Sequence, residues 1–82
     1  MIYPNPVVSK CSISYKLQED ALVNIVVFDG AGRFINTICN DNQTKGVQEI
    51  IWDNYAVEPG IYIIVLQINN QTVVKRILVS NE

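Results

Sequence analysis

Gly60-Ile61-Tyr62-Ile63-Ile64-Val65-Leu66-Gln67-Ile68-Asn69-Asn70-Gln71-Thr72-Val73-Val74-Lys75-Arg76-Ile77-Leu78-Val79 is the stretch that decides the fold. Residues 60–68 form the most apolar run of the chain and are rich in β-branched side chains, as a central strand requires. Asn69-Asn70 accepts left-handed dihedrals at little cost, so a tight turn leads into a second strand over residues 72–79. Pro59-Gly60 breaks whatever comes before. A hairpin of this kind is the unit of an antiparallel sheet.

Working outward, the same period of two recurs. Residues 47–52 read as a strand between a polar loop over 40–46 and a second loop over 53–59. Residues 22–29 and 33–39 are joined by Asp29-Gly30-Ala31-Gly32, whose glycines permit a hairpin. Residues 11–17 alternate, with Cys11, Ile13, Tyr15 and Leu17 on one face and Ser12, Ser14 and Lys16 on the other. No segment has helical periodicity. Six strands, or seven with an edge strand over residues 2–8, predict an all-β, immunoglobulin/fibronectin III-like antiparallel β-sandwich. By analogy with such folds, strands 22–29, 33–39, 60–68 and 72–79 share one sheet, and 11–17 and 47–52 the other. Trp52, Tyr15, Tyr62 and Leu66 are then expected to meet in the core.

Composition narrows the function. The 82 residues suffice for one small domain, 1–82, with no room for separate catalytic and cofactor lobes. Apolar residues make up 49% and charged residues 17%, enough to sustain a core. Six basic and eight acidic residues leave a net charge of -2, which gives no electrostatic footprint for nucleic acid or anionic membranes. The absence of histidine excludes a His-based triad, a histidine base and imidazole-ligated zinc. No apolar run reaches the length of a transmembrane helix, and the opening residues have neither the basic region nor the apolar stretch of a signal peptide. The chain is therefore expected to be a segment of a longer protein.

Four motifs occur in order: Tyr3-Pro4-Asn5-Pro6, then residues 46–53 ending in Trp52-Asp53, then Pro59-Gly60-Ile61-Tyr62, then Lys75-Arg76-Ile77. With the strand over 23–29 and its glycine-bearing turn, the chain from Tyr3 to Val79 resembles the C-terminal sorting domain of proteins exported by the type IX (Por) secretion system. More distantly it is similar to the Ig-like domain of flagellar hook-capping proteins. It differs from many sorting domains in ending on Ser80-Asn81-Glu82, where they carry more basic or apolar residues. The resemblance implies a non-catalytic label at the C-terminus of a larger cargo protein. It further implies recognition by outer-membrane secretion machinery, removal by a sortase-like peptidase, and a final location at the cell surface or in the medium. The alternative is an Ig-like accessory or carbohydrate-binding module of an extracellular protein, which needs exposed aromatic platforms.

Recognition candidates are Pro4, Asn5, Pro6, Gly60, Tyr62, Lys75 and Arg76. Each has a structural role to weigh against a receptor contact. The two prolines stiffen the lead into the sandwich and shield its edge. Gly60 allows a tight approach to the strand, and Tyr62 buries its ring while its hydroxyl reaches a backbone acceptor. Lys75 and Arg76, adjacent in one strand, point to opposite faces, so one of them is expected to snorkel, meet a carboxylate, or sit at a bulge near Lys75.

The central strands are apolar on both faces. If Val23, Ile25 and Val27 point inward, Val26 and Phe28 point out; if Tyr62, Ile64 and Leu66 point inward, Ile61, Ile63 and Val65 point out. Val26, Phe28, Ile63, Val65 and Val74 are thus interface candidates, covered by the cargo, a translocon component or a second copy as a homodimer, or bared by removal of a natural neighbour.

Cys11 opens one strand and Cys39 closes another at the opposite end of the sandwich, roughly 20 Å away, whereas bridged Cα atoms lie within about 7 Å. Two free thiols are expected, Cys11 buried. Asn40-Asp41-Asn42 with Thr44 lacks the distal acidic ligand of a calcium loop and reads as a solvated turn. The pairs Glu19/Asp20 and Asp53/Glu58 lie in loops and need no acid–base role. No catalytic, cofactor-binding or metal-ligating residue is expected.

Overall fold

A computed structural model of the chain describes residues 2–3, 10–53 and 58–80. Strands run β1 Ile2–Tyr3, β2 Lys10–Leu17, β3 Ala21–Asp29, β4 Phe34–Gln43, β5 Gly46–Asp53, β6 Gly60–Ile68 and β7 Gln71–Val79. All pairings are antiparallel and form two sheets, β1-β2-β5 and β4-β3-β6-β7, with no helix among the described residues. This is the expected Ig-like sandwich, and the strands divide between the sheets as the analogy with such folds predicts. Of the expected edge strand over residues 2–8, only Ile2–Tyr3 lies within the described residues, paired with Ile13 and Ser12. Pro4, Asn5, Pro6, Tyr55 and the Asn81-Glu82 end lie outside them.

The β6–β7 hairpin turns on Asn69, whose φ is 53°, and its register runs unbroken from Ile68↔Gln71 to Gly60↔Val79. The expectation of a bulge near Lys75 is therefore corrected. Among the described residues β7 is the last strand of the larger sheet; its Ile77 and Val79 are buried in the core while residues 71–76 are exposed, so Lys75 reaches water on the core-side face without one.

The β3–β4 turn is held by the Asp29 carboxylate, which accepts from the backbone N–H of Ala31 at 3.0 Å and of Arg33 at 2.8 Å and pairs with Arg33 Nε at 2.9 Å. Gly32 takes φ 89° and donates its N–H to the Asp29 carbonyl at 2.9 Å. Beyond the turn, β4 runs on to Gln43, so the polar loop expected over 40–46 shrinks to Thr44 and Lys45. Pairing of Asn42 with Leu22 and Gln43 with Ala21 outweighs the weak strand propensity of these residues. Cys39 consequently lies within a strand rather than closing one.

The bulges fall in β4. Val26 faces Thr37 and Ile25 faces Cys39, skipping Ile38; Phe28 faces Phe34 and Val27 faces Asn36, skipping Ile35. These extra residues change the phase of alternation, and Ile35 and Ile38 pack against the core.

The core joins Cys11, Ile13 and Leu17 of β2, Ala21, Val23, Ile25 and Val27 of β3, Trp52, Tyr62, Ile64, Ile77 and Val79. Of the expected aromatic cluster, Trp52 and Tyr62 meet edge-on, with ring centroids 6.3 Å apart and planes at 65°. Tyr15 and Leu66 are half-buried against the same core. The crossings between sheets are tied together where Asp20 Oδ1 accepts from the Lys45 backbone N–H at 2.8 Å. Both cysteines are free, Cys11 buried and Cys39 half-buried.

Candidate recognition surface

The β5–β6 connection carries the chain from one sheet to the other and arrives at Gly60 with φ 152°, a conformation that side-chain-bearing residues rarely adopt. Two residues later the Tyr62 ring enters the core, and its hydroxyl donates to the Glu58 carbonyl at 2.5 Å. This is the local geometry of a tyrosine corner, a phenol near a strand start bonded to backbone a few residues upstream. Burial, then the nearby Glu58 and Asp29 carboxylates, push the phenol above its ordinary pKa. Gly60 and Tyr62 thus build the corner from which β6 departs.

Lys75 and Arg76 are placed differently. Lys75 stands opposite Ile64 and Arg76 opposite Ile63, so the two cations project from opposite faces of β7, both exposed. Residues 71–76 are exposed throughout, with Val73 at 43% and Val74 at 59%.

The outer face of the larger sheet gathers all five interface candidates. Val26, Val65 and Val74 form one cross-strand row, and Phe28 and Ile63 lie in the next, which Arg76 ends. Val26, Phe28, Ile63 and Val65 are half-buried by their neighbours. Phe34 joins the second row, its ring 6.3 Å from that of Phe28 at 81° and 61% exposed. Ile61 and Leu78 extend the patch and are also exposed. Leu78 is legible from sequence by its parity with Val74 and Arg76. Phe34 is not, because the β4 bulges set its side.

A side-chain chain crosses the gap between the sheets: Tyr15 Oη donates to Gln43 Oε1 at 2.5 Å, and Gln43 Nε2 donates to Cys39 Sγ at 3.4 Å. Burial raises the pKa of Tyr15, and that of Cys39 with a further contribution from Asp41. On the smaller sheet, Ser12 Oγ donates to Glu49 Oε2.

Among the described residues no three His, Cys, Asp or Glu side chains converge on a point where a metal could bind, and no helix is long and apolar enough to cross a membrane. Trp52 and Tyr62 are buried, so neither forms the exposed platform that a carbohydrate-binding module uses.

No curated protein matches the chain. The family model described as the secretion system C-terminal sorting domain matches residues 1–80, nearly the whole length and every motif from Tyr3-Pro4-Asn5-Pro6 to Lys75-Arg76-Ile77. That family is a non-catalytic sorting signal, and the sandwich presents exposed strands and an apolar outer face. The chain belongs to the C-terminal sorting domains of the type IX secretion system, which direct proteins across the bacterial outer membrane to the cell surface or the medium.

Proposed function

We propose that residues 1–82 form a single folded handle at the C-terminal end of a larger cargo protein, without an active site of its own, and that export machinery reads it through β7. The observation that carries this reading is the placement of Lys75 and Arg76, one on each face of an exposed strand at the margin of the larger sheet. Neither is part of the core, so their charge is free to serve recognition. Gly60 and Tyr62 act indirectly by fixing β6, on which β7 lies. By family resemblance a sortase-like peptidase acts upstream of the sandwich, and Pro4, Asn5 and Pro6 are recognition candidates on sequence grounds alone. The outer apolar face packs on a neighbouring folded layer: the cargo domain, a translocon component or a second copy.

A secreted reporter carrying residues 1–82 in a bacterium with type IX machinery is the test. The reporter reaches the surface or the medium, whereas the double variant Lys75→Glu/Arg76→Glu accumulates in the periplasm although it melts like the parent. Equal export of the two proteins refutes the role of β7. Light scattering tests self-association through the outer face: a mass that doubles with concentration and falls back to monomer in Val65→Lys indicates a second copy, and a constant monomer mass in both proteins removes it.

A further inference from the structure

Among the described residues the four margins of the two sheets are unequal. β1 has two described residues, Ile2 and Tyr3, and β4 is broken by two bulges. β5 and β7 are straight: eight residues of β5 pair with β2, and nine of β7 with β6, with no shift in register. A long straight margin is a template for another strand, and folded proteins ordinarily blunt it by shortness, bulges, proline or charge. β7 contains neither proline nor glycine, and its charges are Lys75 and Arg76.

We propose that the β7 margin over residues 71–76 accepts an added strand, supplied by an extended peptide with two adjacent carboxylates flanked by apolar residues. The proposal rests on the reading of β7 as the surface seen by the export machinery, and gives that contact a chemistry. Adjacent strand residues face opposite sides, so a strand laid along β7 sets one residue beside Lys75 on the core-side face and its neighbour beside Arg76 on the outer face. Satisfying both cations takes two successive acidic residues, one for each face. The positions beside Val73 and Val74, which expose 43% and 59% of their surface, favour apolar residues that cover them. Main-chain bonds supply affinity, and the side chains supply the choice of partner.

A second copy offers a weaker match. β5 has Glu49 on its exposed side, but joining β5 of one copy to β7 of the next is a heterologous contact that leaves both kinds of margin open at the ends and does not close. A separate strand stops at one addition.

Fluorescence anisotropy with three end-blocked octapeptides tests this on the full chain. One has a central Glu-Glu pair between valines and threonines, one has Lys-Lys instead, and one keeps Glu-Glu but carries proline at alternate flanking positions. The Glu-Glu peptide binds about tenfold more tightly than the Lys-Lys peptide, as expected of two close charge pairs at a rim. The proline peptide loses binding because it cannot complete the ladder. Lys75→Glu/Arg76→Glu reverses the preference, and amide exchange over residues 71–76 slows only with the Glu-Glu peptide. Equal binding by the proline peptide, no preference between Glu-Glu and Lys-Lys, or no binding at all overturns strand addition, and these three comparisons need only the parent protein. A mass that grows with concentration without peptide and is restored to monomer by Glu49→Lys also overturns it, in favour of a second copy. Export of the parent reporter with no peptide binding refutes strand addition alone; failure of export refutes the sorting reading beneath it.

Discussion

Tyr62 and Asp29 do the most with single side chains. The Tyr62 hydroxyl ties the start of β6 to Glu58 across a bend that Gly60 makes possible. Tyr62→Phe keeps the buried ring and removes only that bond, so it should cost about 1–2 kcal/mol in urea unfolding with an unchanged slope. Asp29 gathers the β3–β4 turn, and the Arg33 backbone N–H, followed by the Arg33 side chain and the Ala31 N–H, holds its carboxyl below the ordinary aspartate range. A carboxylate with a lowered folded-state pKa stabilises above its unfolded pKa and loses that contribution as pH falls through the folded value. Melting temperature followed from about pH 5 down to about pH 2 should therefore fall less steeply for Asp29→Asn than for the parent, with the two curves converging at the acid end. Parallel curves would show that the turn does not depend on the charge.

Among the elements, β6 is the clearest test of alternation. Ile64 is buried and Ile63, its neighbour, faces outward and is half-buried. Ile64→Ala should cost about 2–5 kcal/mol through lost transfer energy and the cavity left behind, and Ile63→Ala clearly less, because solvent already reaches that face. Chemical denaturation of the two variants measures both; equal losses would mean that the outer face is as closely packed as the core. β4 behaves otherwise. Read alone, its Asn40-Asp41-Asn42 stretch has the composition of a loop, yet β3 beside it supplies a ladder that holds it extended to Gln43. Its bulges are invisible in its own residues, because a bulge is a mismatch between two strands and not a property of one.

For the whole molecule, the cysteines report on the two-layer arrangement. Burial raises the pKa of both thiols and is the largest cause for each, and Cys11 is enclosed more completely than Cys39. Native alkylation without reductant should label Cys39 first and Cys11 only as the sandwich opens, and the intact mass should show no loss of two protons. A loss of two protons with no labelling would mean that the sheets allow the two residues to meet. The extended segments, the two hairpins and the inward faces of β2, β3 and β6 were legible in the residues, because a side-chain period of two and a bias toward buried apolar groups act locally; the division into two sheets came by analogy with immunoglobulin-like folds. The buried Tyr62 ring with its hydroxyl on a backbone acceptor was legible for the same reason, and the structure supplies the acceptor, the Glu58 carbonyl, four residues upstream. The apolar outer face could be read from the central strands, and family resemblance gave the sorting role. What covers each position of an outer strand was not legible, because that depends on the extent of the opposite sheet. The core encloses Ile77 and Val79 and leaves Lys75 in water, so tertiary packing decided against the bulge that the sequence offered as one way to place Lys75 and left a straight strand with a cation on each face.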